Sequence, residues 1–127
     1  MKVLEGEPLA PYTTLRVGGP ATVLFDTQTL PELEEAVQEA CAQGLPVHVL
    51  GGGSNVLVSD AGVPGAVVRV GAGAVAFVAD EEGTLLVADA GTRWDTVVDA
   101  ALHEGLWGVE NLAGVPGTVG GAAVQNI

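Results

Sequence analysis

A chain of 127 residues with 48% apolar content can build one domain with a real hydrophobic core and is too short for two ordinary ones. Four basic residues, Lys2, Arg16, Arg69 and Arg93, stand against sixteen acidic ones, and the resulting net charge of -12 excludes nucleic acid and an anionic membrane surface as partners. No apolar run reaches the length of a bilayer span, the start MKVLEGEPLAPY lacks the apolar core of a signal peptide, and Cys41 is the sole cysteine, so a cytoplasmic chain without an internal disulfide is expected.

The first organised stretch runs from Ala21 to Leu50 and reads as a β-α-β unit. ATVLF is a strand, and TLPELEEAVQEACAQG is a helix with both ends marked: Thr29 with Glu32 makes a capping box, Pro31 fits the first turn, and Gly44 stops it. Leu33, Ala36, Val37, Ala40 and Cys41 share one helical face, which predicts a core face and a buried Cys41. PVHVL returns as a strand parallel to the first, since a helical crossover joins parallel strands. GAVVRV, AVAFVAD and TLLVADA then read as short strands, with DEEGT a hairpin turn between the last two. TRWDTVVDAALHEG is a second helix, with Thr92 as N-cap, an apolar stripe of Trp94, Val97, Val98, Ala101 and Leu102, and Gly105 as its end. In LWGVENLAGVPGTVGGAAVQNI the glycine density argues against a helix and for a long ligand-contacting loop, with Trp107 as core or loop anchor.

Most isolated motifs carry no chemistry. GAGAVA, from Gly71 to Ala76, spells a dinucleotide fingerprint but leads into a strand pattern where that fingerprint must open a helix. GGGSN lacks the lysine of a triphosphate loop, and Val56 stands where a nucleophile elbow around Ser54 needs glycine. His48 and His103 have no metal partner at usable spacing, and the acidic groups around Glu32 and at Glu81 and Glu82 read as solvated surface. Nothing pairs two carboxylates as acid and base.

The glycine motifs are different. Gly51, Gly52 and Gly53 follow a strand's carboxyl end, the edge where open α/β sheets bind ligands. Glycines there let successive peptide N–H groups point at one anion, and Ser54 and Asn55 can add side-chain donors. A pyrophosphate could then be held without lysine, which suits so acidic a chain. On that reading, a bulky residue at Gly52 or Gly53 should impair ligand binding more than folding. The bland alternative is a pair of tight turns with no ligand.

YTTLRVGGPA, VHVLGGGSNVLV and GLWGVENLAGVPGTVGGAAVQNI occur in this order, and together they closely resemble the amino-terminal part of the UDP-N-acetylenolpyruvoylglucosamine reductases, the MurB-type flavoenzymes of peptidoglycan synthesis. GGGSN alone is shared by the wider vanillyl-alcohol-oxidase-like group, whereas ENLAGVPGTVGGA with QNI is specific to the reductase. The resemblance implies an α/β (α+β) FAD-binding region of two lobes over residues 1–127, lobe one about 1–58 and lobe two about 59–127 and continuing beyond the chain end. It implies noncovalent FAD, with Gly51, Gly52, Gly53, Ser54 and Asn55 at the pyrophosphate, Val56 beside them, and Gly114, Pro116, Gly117, Gly120, Gly121 and Asn126 near the flavin. NADPH is the implied hydride donor, a UDP-sugar enolpyruvyl ether the substrate, and no partner protein is implied. The family's substrate-polarising arginine, proton-donating serine and acidic partner lie beyond the QNI segment, so no catalytic residue maps onto this chain and the chain alone is expected to be inactive. A related FAD oxidase and a non-catalytic nucleotide-binding module remain as alternatives, the first weakened because no histidine adjoins GGGSN for covalent attachment.

Overall fold

A computed structural model describes every residue except Ala72 and Asp80, so one position each of GAGAVA and of the DEEGT turn lies outside the described residues. In chain order the elements are β1 (Lys2–Glu5), β2 (Ala21–Thr27), α1 (Leu30–Ala42), β3 (Val47–Leu50), β4 (Val63–Val70), β5 (Val75–Ala79), β6 (Thr84–Ala88), α2 (Trp94–His103) and α3 (Val119–Gln125), with 3-10 turns at Ala10–Tyr12 and Glu110–Leu112. Among the described residues no helix is long and apolar enough to cross a membrane.

Four strands form one sheet in the order β1-β2-β4-β3, in which β2, β4 and β3 are parallel and β1 is antiparallel to β2. The β-α-β unit is therefore present, but β4 lies between its two strands. β2 and β4 can take the interior places because both are apolar on both faces, as strands covered on each side must be. On one face Val23, Phe25, Ala66 and Val68 pack under Ala36 and Ala40 of α1. On the other, Leu24, Val67 and Leu50 pack with Leu9 and Ala21. A register shift between Ala21 and Val23 moves Ala21 onto the Leu24 face. β5 and β6 pair antiparallel as a separate hairpin. The boundary expected between residues 58 and 59 does not follow the sheet, since β4 belongs with the strands before it.

α1 is capped as the sequence predicts. The Thr29 hydroxyl accepts from the Glu32 N–H at 3.4 Å, the Glu32 carboxylate accepts from the Gln28 N–H at 2.7 Å, and Gly44 has φ +66°. The hydrogen-bonded ion pair with the chain's amino group, helped by the peptide donor at Gln28 and less by that at Thr29, holds the Glu32 carboxyl below its ordinary range. The expected core face is narrower than five residues. Ala36 and Ala40 are buried, while Val37 and Cys41 are exposed, because two alanines let the helix settle close along one line and leave the flanking positions in water.

Four further expectations change. The N-cap of α2 is Arg93, because Thr92 is buried and donates its hydroxyl to the Ala74 carbonyl at 3.2 Å. Val97, Val98 and Ala101 face the interior, but Leu102 is exposed. Trp107, at 89% exposure, is neither core nor anchor. Finally, GTVGGAAVQN is not a plain loop: Val119–Gln125 is helical despite Gly120 and Gly121. Tertiary packing overrides propensity here, since a Cβ at Gly120 would lie 3.0 Å from that of Ala90, and the glycine lets the helix approach that close.

Candidate functional site

β3 ends at Leu50, and Gly51 to Asn55 leave the sheet at its carboxyl edge. A cleft of about 270 Å³ opens there between this loop and α3. Gly51, Gly52, Gly53, Ser54, Asn55 and Val56 all line it, and Gly120 and Gly121 line it from α3. Eight of the twelve residues singled out in the sequence thus meet in one place.

The other four support the cleft without lining it. Gly117 accepts from the Trp94 N–H at 3.1 Å, and the Pro116 carbonyl accepts from the Ser54 hydroxyl at 3.4 Å. Gly114 donates its N–H to Asp95 at 2.9 Å. Asn126, with φ +63°, is the left-handed cap that ends α3. The start of α2 therefore fixes the second glycine motif: the Trp94 indole also donates to the Leu112 carbonyl at 3.1 Å, and Val119 and Gly120 donate to Thr92 and Ala90. Sequence reading missed Val49, Val70, Ala90, Thr118, Val124 and Gln125, which line the cleft from β3, β4, α3 and the segments before α2 and α3. Only Thr118 carried a local signal, as a threonine directly before a helix.

The glycine loop is held by few bonds. The Gly53 carbonyl accepts from the Thr14 N–H at 2.9 Å, whereas among the described residues the peptide N–H groups from Gly52 to Val56 are not donors in the backbone bonding that ties the surrounding loops. Gly53 takes φ +70° directly after a residue of ordinary φ, the change of hand that turns successive N–H groups toward a common point. Among the described residues lining the cleft, none is ionisable. In a protein of net charge -12, that spares an incoming anion any carboxylate at contact range.

Beyond the cleft, the turn after Trp107 is organised by Glu110, whose carboxylate accepts from the Gly108 N–H. Its own N–H and that of Gly108 stabilise the charged form and hold the carboxyl below its ordinary range. Since the folded value is depressed, the contribution of this group to stability is present above the unfolded value and lost as pH falls through the folded one. An NMR titration of the Glu110 side chain should give a midpoint below that of an ordinary glutamate, with the Gly108 amide signal moving in step; equal midpoints would show that the turn does not hold in solution.

A family described as an FAD binding domain matches residues 21–127. The UDP-N-acetylenolpyruvoylglucosamine reductase of Saccharopolyspora erythraea is 45% identical over 123 residues, which cover 96% of this chain and 34% of that protein. The enzyme of the same name from Moorella thermoacetica is 43% identical, with 99% and 41% covered. The crystal structure of UDP-N-acetylenolpyruvylglucosamine reductase (MurB) from Thermus caldophilus superposes with a TM-score of 0.65 at 40% identity, over 95% of this chain and 40% of that one. The chain thus spans 34% and 41% of the length of these two reductases. With a glycine loop on one wall and two helical glycines on the other of an uncharged cleft at the end of a parallel strand, and with that match over residues 21–127, the chain belongs to the FAD-binding domain family.

Proposed function

We propose that the cleft holds the FAD of an NADPH-dependent reductase that converts UDP-N-acetylglucosamine enolpyruvate to UDP-N-acetylmuramate. The observation that carries this reading is the uncharged, glycine-walled cleft itself. Peptide N–H groups of Gly52 to Asn55 would take the pyrophosphate, and the Asn55 amide would add a donor. Ser54 acts through position, since its hydroxyl already ties the loop to Pro116. Gly120 and Gly121 give the opposite wall room for a flat ligand. When bound, FAD supplies the hydride relay between NADPH and the enolpyruvyl double bond. The protein's part is to bind it, orient it and keep charge away from it. No histidine, cysteine or tyrosine lines the cleft, which supports noncovalent attachment. The catalytic arginine, serine and acid of the resembling enzymes have no counterparts here, so these 127 residues are proposed to hold the cofactor without turning over the substrate.

Flavin titration of the folded chain tests the reading. Saturable quenching of FAD fluorescence, with all flavin released on denaturation, is the expected result; a chain that stays colourless in excess FAD would overturn it. A second measurement uses the far wall. Gly121→Ala meets only ordinary contacts, the nearest at 3.5 Å, so it should stabilise α3 by about 0.5–1 kcal/mol through helix propensity. The same methyl intrudes on the cleft, and FAD affinity should fall while the melting temperature rises. Tighter binding by this variant would place the flavin elsewhere.

A further inference from the structure

Of the three motifs that carry the resemblance, the one containing YTTLRVGG is the only one with no described residue lining the cleft. It builds a second cavity, of about 500 Å³, that shares Gly52 with the cleft and is walled by Tyr12, Thr14, Arg16 and Arg69. Two of the four basic residues of a strongly acidic chain therefore face one space. Arg69 is engaged: it donates to Asp26 at 2.7 Å, and its guanidinium lies 5.6 Å from the centre of the Tyr12 ring. Arg16 is different. Among the described residues it forms no ion pair, although sixteen carboxylates are present.

The backbone at Arg16 is also unusual, with φ +57°, the left-handed region where glycine or asparagine sits at less cost. The turn is nevertheless held firmly. Arg16 donates its N–H to the Thr13 carbonyl at 3.2 Å, the buried Thr13 hydroxyl donates to Val17 at 3.0 Å, and Thr14 bonds Gly53 of the glycine loop. A strained position that keeps an exposed, unpaired cation at the mouth of a polar cavity is more simply explained by a ligand than by folding. We propose that Arg16 and Arg69, with the Thr14 hydroxyl, form an anion site next to the flavin cleft that takes a phosphate group carried by a small ligand. A guanidinium fork fits two phosphate oxygens and the hydroxyl a third, while the volume leaves room for part of the molecule that carries the group. The site uses Gly52 as a shared wall and does not depend on the flavin reading.

The test follows the Thr14 and Arg16 amide signals of the whole chain by NMR during titration with inorganic phosphate and with ADP, each with and without saturating FAD. Saturable shifts are expected in both states. Arg16→Gln, on an exposed side chain, should keep the fold and weaken phosphate binding at least about tenfold, the worth of a charge-assisted hydrogen bond, and Arg16→Lys, which keeps the charge without the fork, should restore only part of it. Tighter binding of ADP than of phosphate would identify a nucleotide as the carrier, and equal binding would identify free phosphate; both support the site. Parent-like affinity in Arg16→Gln would overturn it, and so would displacement of phosphate by FAD, which would make the cavity part of the flavin site. Failure of FAD to bind at all would refute the flavin reading while leaving the flavin-free titration intact.

Discussion

Gly53→Ala should unfold the protein at far lower denaturant than Gly52→Ala, although the two glycines are neighbours. A Cβ at Gly53 would lie 2.0 Å from the Tyr12 carbonyl oxygen and 3.0 Å from the Thr13 Cα, and the residue holds φ +70°. Both the left-handed backbone and the collision with main chain count against any side chain there, and together they predict a loss of roughly 2–5 kcal/mol. At Gly52 the nearest atoms to a new Cβ are Gly117 Cα and Thr118 Cγ2, both at 3.5 Å, which is ordinary contact. Gly52→Ala should therefore leave stability within about 1 kcal/mol of the parent. Its methyl would sit where the backbone must approach a pyrophosphate, so FAD affinity should drop at least about tenfold, or 1.4 kcal/mol. Urea unfolding and flavin titration on the same two proteins decide the matter. Equal stabilities would refute the packing argument, and unchanged affinity in Gly52→Ala would remove this loop from the site. Read from sequence, both positions answered to the ligand; in the structure Gly53 answers first to the fold.

Phe25→Ala should cost about 3–5 kcal/mol, enough to unfold a marginally stable domain. Phe25 is 1% exposed and heads the largest fully buried side chains. It packs among Ala36, Ala40, Ala66 and Val68. Ala36 and Ala40, the buried residues that α1 brings to this cluster, are too short to swing into the space that the ring leaves, so the cavity should persist and the loss should fall toward the upper end of that range. Thermal unfolding followed by circular dichroism would show it as a large fall in midpoint. Phe25→Leu should recover more than half of the loss. A variant with parent-like stability would mean that α1 collapses onto the sheet despite its alanines.

What the sequence determined by itself was local. The capping pair Thr29 and Glu32, the stop at Gly44, the pairing of β5 with β6 and the glycine loop at the end of β3 all depend on residues within a few positions of one another, and each stands where its pattern places it. The likeness to an FAD-binding region was legible for the same reason, because the motifs that carry it are contiguous. Tertiary structure decided the rest. β4 enters between β2 and β3 because both of its faces can be buried, a choice that only long-range strand pairing makes. Gly120 and Gly121 stand in a helix that packs so close to Ala90 that a Cβ at the nearer of the two would lie 3.0 Å from that of Ala90. Cys41 and Trp107 are exposed because no other described segment covers them, which helical spacing cannot report. The cleft gathers Val70, Ala90, Thr118 and Gln125 from distant parts of the chain. Residue spacing sets handedness, caps and faces over a few turns; which faces meet, and what lies between them, is set by the free energy of packing the whole chain.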